Sequence, residues 1–130
     1  MPLIRQLQWD ELDLLQGLEV IPTEYDDGAG VQYRVEKQGL VLLLSLWPAT
    51  GVVDVTLTHP ATDAILLDLR VAVRGTIRYN NDKRGEYLEF PDCVLVSRLG
   101  VGDDEAAFSP NVTGRSMLVA VRPHISIFFE

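Results

Sequence analysis

The chain has 130 residues, of which 47% are hydrophobic, and a net charge of −8. That length suits a single domain, 1–130, with enough apolar content for one core and too much for wholesale disorder. With 11 Lys and Arg against 19 Asp and Glu, the charge argues against nucleic acid as the main partner, because a phosphate backbone selects a cationic surface.

In the first twenty residues, Asp10 suits a helix N-cap. Leu12, Leu15 and Leu18 would then form the inner face, with Gly17 near the end. A short helix is preferred there over an extended segment. Residues 22–30 read as a loop of breakers and acids. From Val31 the pattern alternates: Val31, Tyr33 and Val35 face one way, Gln32, Arg34 and Glu36 the other, and Gly39 closes the strand. Leu40–Trp47 is apolar at both parities, which predicts an inner strand covered on both faces.

Pro48-Ala49-Thr50-Gly51 and Pro60-Ala61-Thr62-Asp63 are near-copies of one turn, set twelve residues apart. Proline pre-sets the backbone for a tight turn, and Gly or Asp tolerates the left-handed angle that follows. The segment between them points Val53, Val55 and Leu57 inward and Asp54, Thr56 and Thr58 outward. Ile65, Leu67, Leu69 and Val71 make the next inner row. It extends through Val73 to Ile77 and Tyr79, with Gly75 at a bend. Residues 80–85 form a turn, residues 86–90 a returning strand, Pro91-Asp92 a break, and residues 93–99 another strand. Residues 100–115 are the longest loop, and residues 116–122 and 125–129 are the last two strands. The sum is a mainly β fold: an antiparallel β-sandwich or curled meander of seven to nine strands, with at most one or two short helices.

Cys93 is the single cysteine, so no intramolecular disulfide forms. It opens an apolar strand and reads as a small buried hydrophobe, not as a nucleophile. His59 and His124 sit beside prolines and read as turn residues, because two histidines and one cysteine do not complete a zinc site. No serine stands in a nucleophile-elbow setting. Asp26, Asp27, Asp103 and Asp104 are the acids that would supply oxygens if neighbouring loops converged on Ca²⁺, although no EF-hand spacing is present. Arg70, Arg74 and Arg78 recur every four positions and would lie along one strand face. Trp47 at a strand end is a candidate contact anchor.

An enzyme needs a nucleophile, base and orienting group or a metal, and no spacing here supplies them. A non-catalytic protein-binding module without a cofactor fits better. Its expected contact residues are Asp103, Asp104, Glu105, Trp47, Arg74 and Arg78, and its expected partner is another, basic protein. Arg5 is followed by Gln6-Leu7-Gln8-Trp9-Asp10 instead of an apolar leader core. The longest apolar stretch is about eight residues where a membrane helix needs about twenty. A cytoplasmic location is therefore expected. In size, acidity and lack of catalytic motifs the chain resembles bacterial toxin-neutralising (immunity) proteins. That resemblance implies an acidic surface that blocks a basic toxin, and it carries over no individual residue. The alternatives are a Ca²⁺- or lipid-binding sandwich of the C2 type and an enzyme of unrecognised type.

Overall fold

The computed structural model describes residues 6–25, 27–97 and 104–130. Its elements run α1 (Glu11–Leu18), β1 (Thr23–Tyr25), β2 (Gly30–Lys37), β3 (Leu40–Trp47), β4 (Val52–His59), β5 (Ala64–Val73), β6 (Arg78–Asp82), β7 (Gly85–Val96), a 3₁₀ turn (Asp104–Phe108), β8 (Arg115–Ala120) and β9 (Ser126–Phe129). The strands form one nine-stranded antiparallel sheet in the order β1-β2-β3-β4-β5-β7-β8-β9, with β6 paired to the first half of β7. Of the two layouts expected, the continuous meander is the one found.

The turns follow from their residues. Gln38 and Gly39 both have positive φ, 54° and 80°, the two-residue hairpin geometry that matches strand twist. The twin proline turns share one construction. Trp47 accepts from the Thr50 and Gly51 N–H groups, and His59 accepts from that of Thr62. Gly51 at φ 73° and Asp63 at φ 55° take the corresponding left-handed last position.

Three strand expectations are corrected. The β4–β5 register shifts at Leu57/Thr58, pairing Leu57 with Leu67 but Thr58 with Ile65. Leu66 is the extra residue. Because side chains alternate, one inserted residue flips the parity beyond it. Ile65 leaves the inner row and is 66% exposed. The row also ends at Val73, and the chain passes through Gly75 before β6 begins at Arg78. A Cβ on Gly75 would stand 2.6 Å from Pro91 Cγ, so glycine permits this crossing. Finally, Pro91-Asp92 does not end a strand. β7 runs through it with a register shift between Phe90 and Cys93, and Asp92 takes φ 53°. The bulge accommodates a proline that cannot donate to the ladder.

One core cluster draws on β2 (Tyr33, Val35) through β8 (Met117, Val119). A flat sheet of eight neighbouring strands would measure roughly 34 Å across, whereas an eight-residue helix is about 12 Å long. The helix cannot cover such a surface alone, and its Leu14 and Leu18 join apolar side chains from β2 to β8 in one shared core. On the opposite face, Ala107 and Phe108 of the 3₁₀ turn cover Val52 and Ala72. This second cover accounts for the apolar residues on that face at the ends of β3, β4, β5 and β7, namely Trp47, Val52, Ala72, Val94 and Val96. It also places a short helical turn inside the expected long loop.

Helix α1 begins as expected, with Asp10 Oδ1 accepting from the Leu12 N–H at 2.8 Å. Its buried face is instead Leu14, Gly17 and Leu18, while Leu12 and Leu15 point out. Gly17 sets that rotation. A Cβ there would lie 2.6 Å from both Cγ and Cδ2 of fully buried Leu88. Gly17→Ala is expected to cost about 1–3 kcal/mol by overpacking, more than the roughly 1 kcal/mol that alanine's helix propensity returns. A urea denaturation midpoint that stays level or rises would contradict this packing.

Candidate protein-binding surface

The outward side of α1 is an exposed apolar surface with a defined shape. Glu19 ends the helix in the left-handed conformation, its N–H donating to the Leu15 carbonyl at 2.8 Å. The chain then turns through Val20, Ile21 and Pro22 into β1, which pairs with β2. Between helix and turn lies a groove of about 190 Å³, lined by Glu11, Leu12, Leu15, Val20, Ile21, Pro22 and Tyr33. Leu12 is 67% exposed, Leu15 45% and Ile21 84%. Tyr33 is buried beneath them. Burial, and after it the nearby Glu11 carboxylate, push its phenol up from the ordinary value.

The helix is held firmly. Asp13 Oδ2 accepts from the Tyr79 N–H at 3.2 Å, Arg122 donates to the Gln16 carbonyl at 2.8 Å, and Arg122 also pairs with Glu19 and Glu86. Charge concentrates here too. Residues 6–30 hold seven of the nineteen acids and none of the eleven basic residues. This stretch alone carries −7, and the rest of the chain is nearly balanced at −1.

Of the residues expected from sequence, Trp47 and Arg74 both meet the 3₁₀ turn that carries Asp104 and Glu105. Trp47 is half-buried, its indole N–H donating to Asp54 Oδ2 at 3.1 Å. Asp54, expected outward, is 8% exposed and takes two hydrogen bonds from Arg70, at 2.7 and 3.1 Å. Arg74 is inside the fold, with its side chain 4% exposed. It donates to the carbonyls of Ala107, Ser109 and Val112 and to Asp92. Arg78 is exposed at the start of β6. Because β5 stops at Val73, Arg70, Arg74 and Arg78 make no common stripe. Glu105 is exposed on the 3₁₀ turn, which Asp104 opens. Asp103 and Asp26 lie outside the described residues. Asp27 is exposed in a left-handed turn. Among the described residues, no group of three or more His, Cys, Asp or Glu could hold a metal ion.

His59 Nδ1 lies 3.1 Å from Thr62 Oγ1, and His124 is exposed. The Cys93 thiol donates to the Phe90 carbonyl, and burial pushes its pKa up to about 12. It should therefore resist alkylation by iodoacetamide at pH 8 until the protein unfolds, since the thiolate is the reactive form. Labelling as fast as free cysteine under native conditions would contradict its burial. Near the β6–β7 turn, Arg84 pairs with Asp82 and Glu130 and stacks over Tyr87. Hydrogen bonds from Arg84 and Tyr87 hold the Asp82 carboxyl down to about 2.

No family model matches this chain, and no curated protein matches it. A solved structure does. It is a chain of a contact-dependent growth inhibition toxin–immunity protein complex from Klebsiella pneumoniae 342, with a TM-score of 0.68 at 17% identity. The match covers 98% of this chain and 97% of that one. The likeness is one of fold, from end to end. No helix among the described residues is long and apolar enough to cross a membrane.

Sequence reasoning missed the α1 surface. Placing Leu12, Leu15 and Leu18 on the inner face overlooked that Leu14, Gly17 and Leu18 form an equally good helical face. The signal was available in the absence of any Lys or Arg between Arg5 and Arg34, over a stretch rich in acids and leucines.

Proposed function

We propose that this chain is a non-catalytic protein-binding module of immunity type, acting in the cytoplasm to neutralise a basic toxin. The observation that carries this reading is the fold match across nearly the whole length of both chains to a component of a toxin–immunity complex. The acidic balance supports a basic partner, since complementary charge speeds encounter and rejects like-charged competitors. The rigid sheet and pinned helix suit inhibition by occlusion, which needs a preformed surface more than chemistry. Capture with the tagged chain from its native host, identified by mass spectrometry, should recover a basic polypeptide that arrests bacterial growth when expressed alone. Co-expression of this chain should relieve the arrest. Growth arrest that persists beside well-folded, abundant chain would refute the reading.

A further inference from the structure

The groove between α1 and the turn into β1 is built, exposed and unassigned. Its volume of about 190 Å³ falls below the roughly 300–1,000 Å³ typical of small-molecule sites. It has room for a large side chain, not for a metabolite enclosed on all sides. The walls are aliphatic, from Leu12, Leu15, Val20, Ile21 and Pro22, with Tyr33 at the base. Leu12, Leu15 and Ile21 are three large apolar side chains exposed side by side, an arrangement that marks interaction sites on soluble proteins.

Charge selects the occupant. Residues 6–30, which include every lining residue but Tyr33, carry −7, with Glu11 in the wall, Glu19 paired with Arg122, and Glu24 and Asp27 exposed shortly beyond. A second copy of this chain would bring the same −7 against it. An anionic lipid surface or a nucleic acid would be repelled in the same way. A cationic polypeptide segment is attracted, and an apolar side chain on it fills the groove. The hydrogen bonds and ion pairs that fix α1 limit the ordering cost of docking.

We propose that this groove docks a basic segment of the partner through one or two aliphatic or aromatic side chains flanked by Lys or Arg. The proposal rests on the immunity reading for its partner, and names the surface and the chemistry recognised. The probe is a fluorescent peptide of about twelve residues, rich in Lys and Arg, with two leucines spaced about one helical turn apart. Fluorescence anisotropy should show saturable binding. Amide shift changes in NMR should centre on Leu12, Leu15, Ile21 and Tyr33. Leu12→Lys and Ile21→Lys, both at exposed positions, should each weaken binding at least about tenfold without lowering the melting temperature. Replacing the peptide leucines by serine should weaken it comparably.

Absence of saturable binding would overturn the proposal, as would shifts centred on Leu95 and Phe129. Equal affinity of the serine peptide would also overturn it, by reducing the contact to charge alone. Any of these results alongside relief of growth arrest would leave the immunity reading standing and place the contact elsewhere. Loss of that relief by the unaltered chain would strike the reading itself.

Discussion

Arg74→Met should destabilise the fold by about 3–5 kcal/mol, the range seen when one partner of a buried charged network is removed. Arg74 Nη1 donates to the Ala107 and Ser109 carbonyls at 3.2 and 2.9 Å, and Nη2 to Asp92 Oδ1 and the Val112 carbonyl at 2.6 and 2.7 Å. A single planar guanidinium thus anchors the connection between the 3₁₀ turn and β8 to the end of β5. Methionine replaces the aliphatic stem but donates nothing. Four acceptors then lose their donor, and an orphaned buried acceptor costs about 1–3 kcal/mol. The sum is capped because water reaches the half-exposed Asp92 and the loosened loop. The loop also covers apolar surface: Phe108 and Ala107 lie over Val52 and Ala72. Hydrogen exchange should accelerate first at residues 107–112 and then at the adjoining β5 amides. Arg74→Lys keeps the charge but not the fork, and should recover only part of the loss. Gly114→Ala tests the same clamp from the other side, because a Cβ there would overlap Asp92 Oδ1 and stand 3.0 Å from Arg74 Nη2. The two substitutions should combine less than additively. Full stability of Arg74→Met in urea would contradict the clamp.

Asp54→Ala should cost about 3 kcal/mol for a related reason. Asp54 lies in register between Ser45 of β3 and Arg70 of β5. Its carboxylate receives Arg70 Nε and Nη2 together, and the Trp47 indole N–H also donates to it. Removing it leaves a partly buried guanidinium and an indole N–H without that acceptor. Breaking a buried pair is more damaging than replacing both members. Asp54→Ala combined with Arg70→Met should therefore be more stable than Asp54→Ala alone. A double variant that loses the sum of both single effects would show that the two side chains act independently.

Much of the fold was legible because its grammar is local. The twin proline turns, the Gln38-Gly39 hairpin and the alternation of β2 and β4 are set by residues within a few positions of one another. The errors occurred where distant segments decide the outcome. Alternation correctly put Asp54 on the face opposite Val53 and Val55. It could not reveal that Trp47 and Arg70 close over that face. The Leu66 bulge has no Gly or Pro to announce it, so alternation alone puts Ile65 on the wrong side. Pro91-Asp92 looks like a break in isolation and becomes a bulge only because β7 has partners on both sides. Four-residue spacing alone puts Arg74 on a strand face with Arg70 and Arg78, yet its acceptors lie 18 to 38 residues further along the chain. The site was less legible than the fold for the same reason: which face of α1 is outward depends on how closely Gly17 approaches Leu88.

Calorimetric titration of the purified chain with its captured toxin tests the proposed recognition of a basic protein by an acidic, preformed surface. A one-to-one complex is expected, with a dissociation constant that rises at least about tenfold between about 50 and about 300 mM salt, as charges become screened. A folded, active toxin that gives no binding heat and no complex at low salt would contradict it.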